Sequence, residues 1–241
     1  MPKSKSGILD IIFPPRCAFC RGLLKRGESG MCAECAKSLP YTSPSERAGT
    51  DFVAACVAPL RYEGAVREAL HRYKSQGVTA YAGVFGRLVA DCIRERLAGE
   101  YELISWVPLS SQRLKERGYD QAMLIAMAAA LELGDVAVET LRKRKDVAPQ
   151  SATGSLEKRR ANISGAYEVI DPELVEGRRI LLIDDIITTG ATVSECARTL
   201  DMAGAESVVC AALARVEKTG RKRSMITLRL ERCKCYADIR T

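Results

Sequence analysis

Aromatic side chains are scarce in this chain of 241 residues, at 5% of the total, with Trp106 the single tryptophan. A broad platform for stacking nucleic-acid bases is therefore not evident. Histidine is scarcer still. His71 stands alone, and one imidazole on a helix face is ordinarily packed or solvated, which leaves no obvious general base. Long apolar runs are missing too. Residues 8–13 are interrupted by Asp10 and closed by Pro14 and Pro15, too short for an export signal or a membrane span. A cytoplasmic protein without a membrane span is the expectation. Neither a Walker A loop nor a GxGxxG fingerprint occurs, which excludes two common nucleotide-binding loops.

What is present is an ordinary globular composition, 47% apolar and 28% charged, enough for one large or two smaller domains. The net charge of +7 is uneven, with basic clusters at residues 142–145, 158–160 and 221–223. Such clusters suit polyanions, pyrophosphate or nucleic acid, or form a solvated surface. Residues 15–39 are rich in Cys, Gly and charge and need a staple in place of a core. Residues 41–51 read as a linker, so a small ribbon domain with its linker is expected over residues 1–45 and a larger domain over 46–241.

In the larger domain, residues 53–60 read as a strand, 65–73 and 82–97 as helices, and 103–109 as a short buried run. A helix over about 119–133 follows, then a short strand at 136–141 and a polar stretch, 142–164, expected to be a mobile loop or lid. Residues 179–185 read as an aliphatic strand, 193–203 as a helix ending at Gly204, and 208–213 as another buried strand. The tail from about residue 218 is basic and then alternates at Ile226, Leu228 and Leu230 like an edge strand. Strands alternating with helices predict an α/β fold, a mainly parallel sheet flanked by helices, with ligands beyond the strands' carboxyl ends.

The strongest signal lies at residues 180–192, where four aliphatic residues lead to the adjacent carboxylates Asp184 and Asp185. Two unpaired buried carboxylates would be costly, so they must meet solvent, a cation or hydroxyl donors such as a sugar diol. Thr188, Thr189, Gly190, Ala191 and Thr192 then open a helix, where free N–H groups and small side chains favour a phosphate. A bland alternative is an acidic strand end that caps a neighbouring helix. A second strand end precedes Ser110, Ser111, Arg113, Lys115 and Arg117, whose charges suit a pyrophosphate or simply line a helix start.

Residues 180–192 resemble the motif of type I phosphoribosyltransferases that binds phosphoribosyl pyrophosphate (PRPP). The resemblance implies that Asp184 and Asp185 bind the ribose hydroxyls and that residues 188–192 hold the 5-phosphate. It also implies that Ser110, Ser111, Arg113 and Arg117 meet the pyrophosphate, with Mg bridging the leaving group. Pro108, Arg113, Arg117, Gly118, Tyr119, Asp120 and Gln121, taken with the cysteine pairs, resemble the ComF family of late competence proteins. The resemblance extends to Tyr62, Gly64 and Lys74, and to Gln150, Arg159, Asn162, Gly165, Ala166 and Tyr167. The chain departs from the family pattern at Asp120, where asparagine is common, near Gly154, and in its cysteine-bearing tail. Membership implies a role in natural transformation, with single-stranded DNA and other competence proteins as partners.

Ten cysteines without an export signal favour metal over disulfides. Cys17-x2-Cys20 and Cys32-x2-Cys35, eleven residues apart, suit one tetrahedral structural Zn, with Gly22, Gly27 and Gly30 easing the turns. Disulfide and iron–sulfur readings stay open at this point. Cys56, Cys92, Cys196 and Cys210 fall in apolar segments and read as core, whereas Cys233 and Cys235 are unassigned. Three functions remain: a pentosyltransferase acting from PRPP on an unknown acceptor, a non-catalytic module sensing PRPP or nucleotide and binding single-stranded DNA, and a regulator with a vestigial site.

Overall fold

The computed structural model describes residues 14–144 and 165–217. A zinc-ribbon segment with one short helix, α1 (Ala33–Ser38), leads into β1 (Ala48–Thr50), β2 (Val53–Val57) and β3 (Leu60–Arg61). Two helices follow, α2 (Gly64–Ser75) and α3 (Ala82–Arg96), then β4 (Leu103–Trp106), α4 (Ser111–Arg117) and α5 (Gln121–Leu133). The chain continues with β5 (Leu141–Lys143), β6 (Tyr167–Val169), β7 (Arg179–Ile187), α6 (Ala191–Met202) and β8 (Ser207–Arg215). The main sheet runs β1-β2-β8-β7-β4, with β3 also pairing β8. Only the β1–β2 contact is antiparallel; β2, β3, β7 and β4 all join through parallel ladders.

Aliphatic residues cover both faces of this sheet, as a parallel sheet flanked on two sides requires. Leu181, Ile183, Val209 and Ala211 pack with α2, α3 and α5 on one face, while Ile180, Leu182, Val208 and Cys210 pack with α6 and the β5–β6 hairpin on the other. The ribbon belongs to the first layer: Cys17, Phe19, Cys35 and Leu39 are buried in the same cluster as Tyr73, Phe85 and Val89. Cys56, Cys92, Cys196 and Cys210 are buried as expected.

Several local expectations change. The linker over 41–51 contributes β1 and a bridge from Tyr41 to Leu60, because backbone groups beside an open sheet edge gain partners there. The strand expected over 53–60 breaks at Ala58 and Pro59, where the proline has no N–H to give the ladder. The strand expected over 136–141 reduces to one bridge from Ala137 to Ile104, and Leu141 starts the hairpin with β6 instead. Lys143 therefore pairs with Tyr167, within the stretch read as a loop. Residues 145–164 and the expected tail strand lie outside the described residues. Gly22 eases no left-handed turn; Arg21 does, with φ 65°, alongside Gly27 and Gly30.

Helices α3 and α5 cross closely at Gly86, which faces the middle of α5. A Cβ on Gly86 would sit 2.8 Å from the backbone of Ala128 and Ala129 and closer still to the Ala128 methyl. Gly86→Ala gains helix propensity of up to about 1 kcal/mol, yet forces two backbones apart at a cost of about 1–3 kcal/mol. The expected outcome is a net loss of stability, read as a lower denaturant midpoint; an unchanged or higher midpoint would show that the crossing yields freely.

Candidate functional site

The carboxyl ends of β4 and β7 are neighbours. Trp106 stands opposite Ile183 in the parallel ladder, and Val107 N–H donates to the Ile183 carbonyl at 3.0 Å. Two loops therefore leave one edge of the sheet together, residues 107–110 after β4 and 188–190 after β7. Asp120 secures the first. It caps α5 by accepting from Met123 N–H at 3.1 Å, and its other oxygen accepts from Leu109 N–H at 2.8 Å. Burial raises its pKa, and the backbone N–H bonds only partly offset this. An asparagine here accepts through one oxygen only and would face Leu109 N–H with a second donor.

Ser110 caps α4, accepting from Arg113 N–H at 3.3 Å. Arg113 and Lys115 are exposed and Arg117 is partly covered. None of the three has an acid partner among the described residues, whereas Arg47, Arg61, Arg144, Arg179 and Arg198 are all paired. Helix α4, into which the first loop leads, thus carries cations that have no acid partner among the described residues.

The acidic pair lies two residues inside β7 rather than at its end, because Ile186 and Ile187 still pair with Ala214 and Arg215. Successive strand residues face opposite sides, and the surroundings differ accordingly. Asp185 is buried on the helix layer's side and meets Lys74 Nζ at 2.8 Å. Asp184, whose carboxylate accepts from Asp185 N–H at 2.7 Å, acts on Cys196, Tyr167 and Cys210 across the other layer. Burial first and the charge of Asp185 second hold the Asp184 carboxyl well above the usual carboxylate range, against the pull of Lys74. Part of Asp184 remains open to solvent, which limits the shift.

Beyond β7, Thr188 and Thr189 are exposed and Gly190 takes φ 81°. A Cβ there would meet nothing nearer than 3.9 Å, so the backbone conformation and not crowding calls for glycine. Gly190 has no side chain to cap α6, and Thr189 Oγ1 accepts from Ala191 N–H at 3.3 Å. The hydroxyls of Thr188 and Thr192 have no partner among the described residues. Glu195 on α6 accepts from Gly165 N–H at 2.6 Å, bringing the root of the β5–β6 hairpin to the site.

Sequence reading missed the structural work of three consecutive residues on α2. Lys74 appeared only as a family-like position; Arg72 and Tyr73 gave no signal. Arg72, 8% exposed, donates to the carbonyls of Ala18 and Phe19 at 2.9 and 2.8 Å. Tyr73 donates to the Gln121 carbonyl at 3.1 Å, and its own carbonyl accepts from Tyr119. His71 is exposed in a cleft of about 630 Å³ with Arg21, Arg67 and Arg72, and that cleft includes no residue of the acidic edge.

The four thiols of Cys17, Cys20, Cys32 and Cys35 lie within 4.8 Å of one another, with Cys20 and Cys32 at 3.7 Å. Zn–S bonds of about 2.3 Å in a tetrahedron set edges of about 3.8 Å, so the donors fit zinc. Gly22 N–H faces Cys20 Sγ at 3.4 Å and Cys35 N–H faces Cys32 Sγ at 3.4 Å, as suits thiolate ligands. Four protein ligands close the sphere, which makes the site structural.

Residues 120–238 match the phosphoribosyl transferase domain family, and residues 8–58 match the double zinc ribbon domain family. The chain is similar to Competence protein F of Haemophilus influenzae, 29% identical over 83% of this chain and 96% of that protein. It is 31% identical to Competence protein ComFC of Streptococcus pneumoniae, over 66% of this chain and 67% of that one. DNA utilization protein YhgH of Salmonella typhimurium is 27% identical over 81% and 94% of the two chains. Among solved structures, the allosteric regulatory enzyme of purine biosynthesis aligns over 54% of this chain and 25% of its own, with a TM-score of 0.38 and 23% identity.

The raised carboxyl of Asp184 has a thermodynamic consequence. A group whose pKa is higher folded than unfolded contributes most to stability at low pH, and loses that contribution as pH rises through the folded value. Asp184→Asn removes the penalty. It should raise the thermal midpoint by a few degrees at neutral pH and by progressively less as pH falls towards about 4, where the free carboxyl titrates. A gain that does not change with pH would contradict the buried-charge account.

Proposed function

Because the chain belongs to the ComF family, with a phosphoribosyl transferase domain behind an N-terminal zinc ribbon, we propose that it binds PRPP with magnesium at the acidic edge. The observation that carries this is the shared origin of two loops at neighbouring strand ends. The first leads into α4 with Arg113, Lys115 and Arg117, unpaired with any acid among the described residues, and the second follows the carboxylates near the end of β7. On this reading Asp184 and Asp185 accept from the ribose hydroxyls. Thr188, Thr189, Gly190, Ala191 and Thr192 hold the 5-phosphate through hydroxyls and the first amides of α6. Ser110, Ser111, Arg113 and Arg117 meet the pyrophosphate, which is where a magnesium ion would neutralise charge.

A transfer reaction at this site displaces pyrophosphate from C1 of the ribose by an acceptor nucleophile, and the chain's share is positioning and charge stabilisation of the leaving group. Asp184 and Asp185 are the catalytic residues on that account. The relatives named for competence and DNA utilization support a role in handling DNA; on this reading the protein works in the cytoplasm, with single-stranded DNA and other competence proteins as partners. A second reading, PRPP or nucleotide sensing without chemistry, is favoured by one observation: the lone histidine stands in a separate cleft, away from the acidic edge. The ribbon over 1–45 and the transferase-like body over 46–241 then act as one unit.

Calorimetric titration of PRPP with magnesium tests the site. Wild-type protein should bind at micromolar concentration, and Asp184→Asn with Asp185→Asn together should weaken binding by about a hundredfold or more, since two charge-assisted acceptors are lost. No heat from the wild type overturns the proposal. Pyrophosphate release on adding candidate acceptors then separates transfer from sensing.

A further inference from the structure

We infer that Lys74 is a positioning residue of the acidic site, and that the zinc ribbon, acting through Arg72, sets its place. The inference rests on the PRPP reading above and adds to it a residue from a different part of the chain and a coupling between the two domains. Lys74 supplies the ion pair of the acidic edge, with Nζ at 2.8 Å from Asp185 Oδ2. It comes from the last turn of α2, whereas the motif that contains Asp185 belongs to β7.

That last turn is held at three points by successive side chains. Arg72 reaches the carbonyls of Ala18 and Phe19 inside the first cysteine knuckle. Tyr73 is bonded in both directions to the start of α5, donating to Gln121 and accepting from Tyr119. Lys74 reaches across to β7. At the opposite end of α2, Glu63 makes no side-chain cap and Gly64 enters at φ 46°, while the Tyr62 N–H just before the helix donates to the Arg215 carbonyl at 2.8 Å. Among the described residues, the side-chain attachments of α2 to the rest of the fold are therefore concentrated where Lys74 departs.

Arg72 explains why the ribbon matters. It is a buried cation whose nearest acid, Glu68, is 3.8 Å away and exposed, so its charge rests on two carbonyl dipoles and on the Tyr81 ring, 6.0 Å from the guanidinium carbon to the centroid. Those carbonyls face Arg72 only while the knuckle is folded, and a knuckle this short folds on its metal. An ammonium on a flexible four-carbon stem holds a carboxylate well only if its backbone is fixed, because otherwise the entropy of ordering it cancels most of the attraction. The ribbon supplies that fixing. Lys74 in turn holds the Asp185 carboxylate in place as an acceptor beside a second carboxylate, that of Asp184.

The test combines Lys74→Met, Lys74→Arg, Arg72→Met and the Arg72→Met, Lys74→Met double variant, each checked for zinc content and circular dichroism. PRPP with magnesium should bind about tenfold more weakly to Lys74→Met and to Arg72→Met, and Lys74→Arg should recover part of the loss. The double variant should bind no more weakly than Lys74→Met alone, since both changes act through one contact. Wild-type affinity in Lys74→Met, or losses that simply add, overturns the inference. A second readout needs no ligand: acylation of the Lys74 amine, followed by mass spectrometry, should be slow in zinc-loaded wild type and several-fold faster in Arg72→Met or after chelation of zinc. If the wild type binds no PRPP, the site reading fails on its own, and an unchanged Lys74 acylation rate still overturns the coupling.

Discussion

The parallel register between β4 and β7, with Trp106 opposite Ile183, is the constraint on which the acidic edge depends. A parallel ladder ends both strands at the same side of the sheet, so whatever follows each strand is delivered to one place. The sequence separates the two loops by about eighty residues, and nothing local would join them. Slipping the ladder by one residue would turn Asp184 and Asp185 to each other's faces and bring Ile183 to the site. The aliphatic residues of β7, covered on both sides by helices and hairpin, make that slip costly.

The charged groups at this edge are arranged asymmetrically. Asp185 has a cation of its own, while Asp184 has a backbone amide and apolar neighbours. Two like carboxylates side by side are tolerable because one is neutralised by Lys74 and the other leans towards its protonated form. A ligand bringing hydroxyls and a divalent cation relieves both conditions at once.

The motif of residues 180–192, the four cysteines and the alternation of strands with helices were legible because each is a local pattern: a run of aliphatics ending in carboxylates, a spacing, a period. Three expectations that changed depended on distant partners. The linker became β1 because β2 lies beside it, β7 ran on because Ala214 and Arg215 were there to pair, and the strand over 136–141 dissolved because β4 accepted it at one bridge only. Arg72 and Lys74 were opaque for the same reason. On a helix face a basic residue is usually solvated, and only the packing of the ribbon against α2 shows that Arg72 is covered.

Strand β8 is the final strand among the described residues, yet it sits inside the sheet, between β7 and the line of β2 and β3. A growing chain can close its cysteine knuckles and coil α2, α3 and α5 from nearby residues. It cannot finish the sheet. Until residues 207–215 emerge, β2 and β7 each present a bare, aliphatic row of unpaired amides and carbonyls, the template on which other unfinished chains can pair. A polypeptide stalled or cut short before β8 is therefore not a weakened protein but two sticky half-sheets, and the cell meets it as a problem of aggregation rather than of activity.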